Sequence, residues 1–181
     1  MEFDDVILGR RSIRGYKPDP VPPKLIKESL ALAMRAPSSM NTQPWNFYVI
    51  TGSRPAGQHR AQSSGRAALT RISNRPAIRG GHRERQIGVA KQLFSAMGIT
   101  RDDKPRRQEW VLRGFRQFDA PVCVIVTYDR ILASSDDTAF DCGAVATALV
   151  NAAWSRGLGA VINSQAYAIP CGARACRDRG R

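Results

Sequence analysis

Residues 37–50, "PSSMNTQPWNFYVI", place a run of turn-forming and hydrogen-bonding residues directly before an apolar run. The apolar half is rich in aromatic and β-branched residues, which favour a strand. The polar half makes a poor core and supplies more donors and acceptors than a turn requires. A turn between a helix and a strand needs about two such residues. The surplus therefore indicates a ligand site beside the strand.

The segments on either side of this stretch carry clear helical and strand patterns. Apolar spacing predicts helices over 3–11, 24–36, 84–97 and 106–118, and a long helix from 140 that Gly157 ends. Strands are predicted over 46–51, 120–129 and 160–165, and "APVCVIVTYD" is the clearest of them. Because strands and helices alternate only loosely, the first interpretation is an α/β or α+β sandwich.

The totals fit a single domain over residues 1–181. A chain of 181 residues with 43% apolar content can bury a sizeable core. No run approaches the roughly 18 apolar residues of a membrane span. The start, "MEFDDVILGRR", lacks the charged-then-apolar pattern of a signal peptide. We therefore predict no membrane partner and a cytoplasmic location.

The four cysteines are expected to be reduced thiols in that compartment. Cys123 and Cys142 lie in apolar or helical settings that favour burial. Cys171 and Cys176 are spaced like a metal-binding pair, but no further Cys or His pair accompanies them. The prediction is that the chain holds no metal.

A net charge of +13 raises the alternative of a basic nucleic-acid-binding protein. The charge is concentrated in two segments, however. Residues 53–81 contribute +6 and residues 166–181 contribute +3, which leaves an ordinary balance elsewhere. Neither segment shows periodicity, and the chain shows no nucleic-acid motif. We therefore predict no nucleic-acid partner, and gel shifts across a salt series would test this.

These two segments also have an unusual composition. Residues 53–81 contain no acid, lysine or aromatic residue and consist mostly of Arg, Ala, Gly, Ser and Pro. A disordered basic linker is one interpretation, but such linkers normally keep Lys and Glu. The composition is also that of a GC-rich gene read out of frame. With suitable codons, residues 167–180 read one base later encode a helix-like peptide with balanced charge. We therefore interpret 53–81 and 166–181 as frame-shifted, non-native sequence.

A cluster of cations and a hydroxyl follows the first predicted helix. Arg10, Arg11, Ser12 and Arg14 lie within five consecutive positions of "GRRSIRGYKPDPVP". Guanidinium groups form paired, charge-assisted hydrogen bonds with phosphate, so the cluster suits a phosphate group. The alternative is a solvated basic helix end, or cations that interact favourably with the negative end of the helix dipole.

Two further polar groups complete the candidate site. In the polar turn, Ser38, Ser39, Asn41 and Gln43 offer hydroxyls and amides to the edge of a flat heteroaromatic ring. Ser164 and Gln165 end the last predicted strand, where ligands often bind in α/β proteins. A hydrogen-bonded turn and an ordinary loop are the respective alternatives.

Together these motifs resemble the flavin-dependent nitroreductase family. The resemblance follows the family's order through "RRSIRGYKPDPVP", "APSSMNTQPWNFYVITG", "HRERQIGVAKQLFSAMGI", "FRQFDAPVCVIVTYDR" and "GAVATALVNAAWSRGLGAVINSQ". It covers residues 1–52 and 82–165. Within the family, the chain is most similar to the branch of nitrobenzoate and nitroaromatic reductases.

The resemblance implies an α+β, nitroreductase-like fold with a central mixed or antiparallel sheet flanked by helices, here truncated at its C-terminus. It implies a homodimer with FMN at the subunit interface and NADH or NADPH as reductant. A nitroaromatic or quinone-like compound would be reduced by ping-pong hydride transfer through the flavin. The closest alternative is a flavin-reducing or dehalogenating reductase on the same scaffold.

The resemblance also implies roles for the candidate residues. The FMN phosphate, ribityl chain and pyrimidine edge would be held by Arg10, Arg11, Ser12 and Arg14. The ring would be contacted from the partner subunit by Pro37, Ser38, Ser39 and Asn41, with Gln43 nearby. Ser164 and Gln165 would lie against the other face or edge of the ring. Positive charge from Arg14 would stabilise the reduced flavin. No acid–base residue is assigned.

The chain departs from the family pattern after Gln165, where the family has Gly and this sequence has Ala166. The family continues with a further strand, a basic pair for the phosphate, and an arm that wraps the partner. None of these is recognisable in residues 166–181. We therefore expect the 181-residue chain to fold poorly and to bind FMN weakly or not at all.

Overall fold

The structure, a computed structural model, describes residues 1–51 and 78–165. Segment 166–181 and all of segment 53–81 except residues 78–81 lie outside the described residues, as do Cys171 and Cys176. The interpretation of both segments as frame-shifted therefore stays a prediction. The described residues fall into two compact units, which are 1–51 with 117–164, and 78–116 with Gln165.

The described elements are five helices and two strands, besides short turns of 3₁₀ type. In chain order they are α1 (Phe3–Gly9), α2 (Pro23–Ala33), β1 (Trp45–Thr51), α3 (Gly80–Ala96), α4 (Lys104–Phe115), β2 (Val122–Tyr128) and α5 (Asp136–Trp154). Helices α3 and α4 belong to the second unit, and the other elements belong to the first. The five helices and the first two of the three strands predicted from the sequence are thus confirmed, apart from their ends.

Local chemistry explains several of the element ends. Pro23 occupies the first turn of α2, where its missing N–H costs no helical hydrogen bond. Asp103 caps α4, because its carboxylate accepts a hydrogen bond from the Arg106 backbone N–H at 3.1 Å. Gly157 follows α5 with φ +76°, a left-handed conformation that glycine adopts without steric cost.

The two strands pair in antiparallel fashion within the first unit. Trp45 lies opposite Tyr128 and Thr51 lies opposite Val122, so the pairing runs along the full length of both strands. The strands are far apart in sequence, and the sheet therefore brings the polar turn before β1 together with the segment that follows β2.

The core of the first unit lies between α2, the sheet and α5. Ala33, Trp45 and Val145 are buried there, one from each of these elements. Phe47, Val126 and Leu149 are among the partly buried residues that pack around them. Helix α5 thus supports both the sheet and α2, and it is the largest element of this unit.

One prediction of secondary structure is wrong, and one predicted helix ends earlier than expected. The expected strand over 160–165 forms one isolated parallel bridge, between Ser12 and Ala160, and no ladder within the described residues. A strand needs a neighbour along its length, and only one position finds one here. The predicted helix over 106–118 ends at Phe115, because Gln117 and Phe118 adopt φ of +57° and +55°. Left-handed residues cannot continue a right-handed helix.

The second unit is built around α4 and the loop before it. Phe115 and Ile99 are buried. Arg106 donates to the carbonyl oxygen of Gly98 at 3.0 Å, and the Arg107 guanidinium lies 4.1 Å from the centre of the Phe94 ring. Helix α3 has no buried residue, although its apolar residues recur at helical spacing.

Across the residues that the structure describes, no helix is both long enough and apolar enough to cross a membrane.

Candidate functional site

The loop after α1 forms one side of a cavity in the first unit. The cavity has a volume of about 170 Å³ and is lined by Arg10, Ser12, Thr147, Val150, Ala160 and Ile162. The lining combines one guanidinium, two hydroxyls and an apolar wall. The Thr147 hydroxyl donates to the carbonyl oxygen of Gly143 at 2.9 Å, so the donors left for a ligand are those of Arg10 and Ser12. These donors fit a phosphate ester with an attached alkyl chain, because the cation and the Ser12 hydroxyl donate to phosphate oxygens while the apolar wall packs against carbon.

The backbone of this loop is held against the segment that follows α5. Ser12 pairs with Ala160, and the Ile13 backbone N–H donates to the carbonyl oxygen of Ala160 at 3.1 Å. The approach depends on Gly159, since a Cβ there would lie 3.0 Å from the Ile13 side chain. Backbone contacts therefore place Arg10 and Ser12 at the cavity.

The other two arginines of the cluster have different surroundings. The Arg11 guanidinium donates to the carbonyl oxygens of Leu8 and Arg10, at 2.6 and 2.9 Å, where α1 ends. This is the helix-end role that the sequence left as an alternative. Arg14 donates to the carbonyl oxygen of Ser12 at 3.4 Å and is partly buried. The structure thus brings Arg10 and Ser12 together at the cavity, whereas Arg11 caps the helix.

Tyr16 is a supporting residue that the sequence did not single out. Its hydroxyl donates to the carbonyl oxygen of Ile13 at 2.7 Å, which closes the loop over residues 13–16. Burial raises the pKa of Tyr16 to about 12, although the Arg14 charge lowers it and Cys123 adds to it. The phenol therefore stays neutral at physiological pH and acts as a hydrogen-bond donor.

The polar turn before β1 uses several of its own side chains. The Ser38 hydroxyl accepts a hydrogen bond from the Gln43 backbone N–H at 3.0 Å. The Gln43 side-chain amide donates to Asn41 Oδ1 at 2.8 Å. Met40, Asn41 and Gln43 all have positive φ, at 48°, 58° and 44°. Part of the surplus of donors thus holds a left-handed backbone that side chains rarely adopt.

The same turn is tied to α5 by Asp141, which the sequence analysis did not identify. The Asp141 carboxylate is 3% exposed and accepts the Ser39 backbone N–H at 3.1 and 3.3 Å. The signal available in the sequence was one acid within the mostly apolar run "FDCGAVATALV". That signal does not reveal a partner 102 positions away.

The last predicted pair is divided between the two units. Ser164, in the first unit, is exposed. The Gln165 side chain, in the second unit, donates to the carbonyl oxygen of Val111 at 3.3 Å and lies where a Cβ on Gly114 would be. Next to Ser164, the Asn163 side chain donates to Gln117 Oε1 at 2.9 Å. Pro37, at the other end of the site, is exposed beside the polar turn.

The described cysteines are not placed for chemistry. Cys123 and Cys142 are free thiols, and burial raises the pKa of both, with the Asp141 charge adding to the effect at Cys142. Both therefore stay protonated near neutral pH, where a thiol is a weak nucleophile. Within residues 1–51 and 78–165, no group of His, Cys, Asp or Glu is placed to hold a metal ion.

Comparison with protein families gives a match over most of the chain. The model of the nitroreductase family matches residues 7–170. A nitrobenzene nitroreductase of Ectopseudomonas oleovorans is 37% identical over 147 residues, which are 77% of this chain and 64% of the relative. A chloronitrobenzene nitroreductase of Comamonas testosteroni is 36% identical over 146 residues, with the same two shares. The chain thus spans just under two thirds of the length of these relatives.

Solved structures resemble the fold as well. The FMN-dependent nitroreductase NfnB from Mycobacterium smegmatis, solved in complex with NADPH, is 27% identical and superposes with a TM-score of 0.69. The match covers 85% of this chain and 70% of that one. The expected nitroreductase-like α+β fold is confirmed.

Proposed function

The chain belongs to the nitroreductase family, and from that premise we propose that it is an FMN-dependent oxidoreductase that reduces nitroaromatic compounds with NADH or NADPH. The observation that carries the proposal is the cavity that Arg10 and Ser12 line together with Thr147 and Val150 of α5. The names of the nitrobenzene and chloronitrobenzene reductases support the class of substrate. The name of the NfnB structure supports FMN and NADPH.

In this proposal the cavity holds the phosphate end of FMN. Arg10 donates charge-assisted hydrogen bonds to the phosphate, and the Ser12 hydroxyl donates to it or to the ribityl chain. The Thr147 hydroxyl, which donates to the carbonyl oxygen of Gly143 at 2.9 Å, offers only an acceptor to the ribityl hydroxyls. Val150 and Ile162 line the apolar side of the cavity, where they would pack against the carbon atoms of the ribityl chain. Arg14 provides positive charge toward the pyrimidine edge of the ring. Arg11 contributes indirectly, since its hydrogen bonds fix the end of α1.

The polar turn serves the flavin ring of the partner subunit in a homodimer. Pro37, Ser38, Ser39 and Asn41 contact that ring, and Gln43 stabilises the turn behind them. Ser164 and Gln165 lie at the other face or edge of the ring. The bound flavin would supply the redox chemistry, taking two electrons from the reduced nicotinamide and giving them to the nitro group. The protein residues bind and orient, and no side chain is needed as a nucleophile.

We also propose a cytoplasmic location. The thiols of Cys123 and Cys142 are free, as is usual for cysteines in a reducing compartment. Fractionation of cells that express the chain with a tag would test this, since recovery with membranes or periplasm would contradict it.

Segments 53–81 and 166–181 are proposed to be frame-shifted. Resequencing the coding DNA across codons 50–85 and 160–185 tests this, with single-base differences expected at both places. A confirmed sequence would mean that the shifts occurred in the gene itself or that the segments are native. Their composition alone supports the proposal.

The function is tested by measuring NADH and NADPH oxidation with nitrobenzene, nitrobenzoate, a quinone and free flavin as separate acceptors. The 181-residue chain and a frame-restored version are each saturated with FMN. We expect nitroarene-dependent turnover that is stronger in the frame-restored version. Turnover with free flavin but not with nitroarenes would assign the flavin-reducing alternative. No FMN binding by either version would overturn the proposal.

A further inference from the structure

The polar turn before β1 has one tie to a buried charged group. Asp141, on α5, is 3% exposed, and both of its carboxylate oxygens face the Ser39 backbone N–H, at 3.1 and 3.3 Å. A buried carboxylate is costly unless hydrogen bonds compensate it. The hydrogen bond from the Ser39 N–H therefore compensates part of the cost of burying the Asp141 carboxylate.

The turn needs such a tie because its own conformation is unfavourable. Met40, Asn41 and Gln43 have φ of 48°, 58° and 44°, a region that side chains rarely occupy. Met40 is 91% exposed, so packing at the tip does not hold the turn. The hydrogen bonds among Ser38, Asn41 and Gln43 are local and lie on the exposed side. They close the turn but do not attach it to the core.

Helix α5 is well suited to carry the tie. Its buried residues Thr138, Asp141 and Val145 share one face, and Val145 is fully buried in the core. Thr147 and Val150, farther along the same helix, line the cavity of Arg10 and Ser12. Asp141 and Thr147 are six residues apart, or about 9 Å along a helix axis. One helix thus holds the polar turn through Asp141 and supplies part of the lining of the cavity at the other candidate segment.

We propose that Asp141 is a positioning residue, which holds the turn over residues 38–43 in its left-handed conformation through the Ser39 N–H. The carboxylate does not touch the flavin; it acts through the turn. The consequence for ring binding rests on the proposed function, whereas the structural consequence does not.

Hydrogen exchange of the 181-residue chain and of the frame-restored version tests the structural part without any ligand. Asp141→Leu removes the acceptor at similar size, and Asp141→Asn keeps one acceptor oxygen without the charge. Amides of residues 39–43 are expected to exchange roughly tenfold faster in Asp141→Leu and less so in Asp141→Asn, since local opening sets their protection. Asp137→Asn is the matched control, because Asp137 is exposed on the same helix. Unchanged exchange of the turn in both Asp141 variants would overturn the proposal.

A second variant removes the donor in place of the acceptor. Ser39→Pro deletes the N–H, and the preceding Ser38 is already extended, with φ −143° and ψ 152°, as a residue before proline prefers. Adding Asp141→Asn to Ser39→Pro is expected to cause no further acceleration at Asn41 and Gln43. Additive effects would show that Asp141 acts by another route. If Asp141→Leu does not fold, the comparison of Ser39→Pro with and without Asp141→Asn still tests whether Asp141 acts through the Ser39 N–H.

Flavin titrations separate this inference from the proposed function. Riboflavin has the ring without the phosphate. Asp141→Asn should therefore lower the affinity of the chain for FMN and for riboflavin by a similar factor. Arg10→Ala should lower the affinity for FMN and leave the affinity for riboflavin unchanged. If the unmodified and frame-restored chains bind no flavin, the proposed function fails, and the exchange experiment still decides the role of Asp141. Equal flavin affinity in Asp141→Asn and the unmodified chain would overturn its role in ring binding.

Discussion

The two candidate cofactor segments, residues 10–14 and 37–43, are held in place by different means. The backbone of the first is fixed by the bridge from Ser12 to Ala160 and by the hydroxyl of Tyr16, so Arg10 and Ser12 line the cavity. The second is held by its own side chains and by Asp141. The side chains of Arg10 and Ser12 in the first segment thus line the cavity, whereas Ser38, Asn41 and Gln43 in the second segment form hydrogen bonds that close their own turn. Substitutions should therefore affect binding in the first segment and stability in the second.

Arg10→Ala should have the largest effect. A hydrogen bond to a charged group contributes about 1.5–3 kcal/mol, so FMN affinity should fall roughly 10- to 100-fold with little change in thermal stability. Fluorescence titration with FMN measures this. Arg11→Ala is the control, because its guanidinium bonds to the end of α1 and should change FMN affinity less. Equal losses in the two variants would remove the distinction between these arginines.

Gly159→Ala tests whether the backbone holds the first segment. A Cβ would lie 3.0 Å from Ile13, so the loop must shift, and overpacking costs about 1–3 kcal/mol of unfolding free energy. Gly143→Ala is the matched control, because nothing lies near its Cβ position in α5 and alanine favours a helix. Denaturant unfolding of both variants measures the difference. An unchanged midpoint in Gly159→Ala would mean that the bridge does not fix this loop.

Ser38→Ala should lower stability through the second segment. It removes the acceptor for the Gln43 N–H, and a net loss of about 1 kcal/mol in unfolding free energy is expected. The affinities for FMN and for riboflavin should fall together, because the variant disturbs the turn and not the phosphate site. Thr42→Ala, on the exposed side of the same turn, serves as the control. A loss of FMN binding alone would contradict the division between the segments.

Tyr16 should have no effect on stability near neutral pH, because its contribution changes only at high pH. The pKa of Tyr16 is about 12 in the folded protein against 10.0 for the free side chain, so the folded state holds the phenol proton more tightly. The tighter binding of this proton contributes to the free energy of unfolding. The contribution is complete below pH 10 and is lost as the pH rises toward 12. Allowing for partial exposure, the loss should be about 1–2 kcal/mol. Unfolding measured against pH should show a smaller decline in Tyr16→Phe, and parallel curves would contradict the assignment.

Local patterns predicted most elements but not all of their ends. The β-branched run at 122–128 and the apolar spacing of α2 and α5 led directly to their structures. The expected strand over 160–165 failed, because its apolar alternation does not say whether a neighbour is present along its length. The helix over 106–118 ended early at a left-handed turn around Phe118. The sequence does not predict this turn, because none of its left-handed residues is a glycine.

The candidate site divides in the same way. Arg10, Ser12 and the polar turn were identified because their side chains are unusual for a core and close together in sequence. Thr147 and Tyr16 gave no such signal, since a threonine in a helix and a tyrosine in a loop are ordinary. The separate role of Arg11 was open in the sequence, and only the contacts with Leu8 and Arg10 assign it.

The sequence by itself determined the family, the order of the helices and strands and the chemical character of both candidate segments, because each of these depends on residues that are near neighbours along the chain. Only the tertiary structure decided which donors reach the cavity and which are used by the backbone. It also paired Ser39 with Asp141 and Ser12 with Ala160. The physical reason is that a hydrogen bond requires a partner within about 3 Å, and such partners can be more than a hundred positions away.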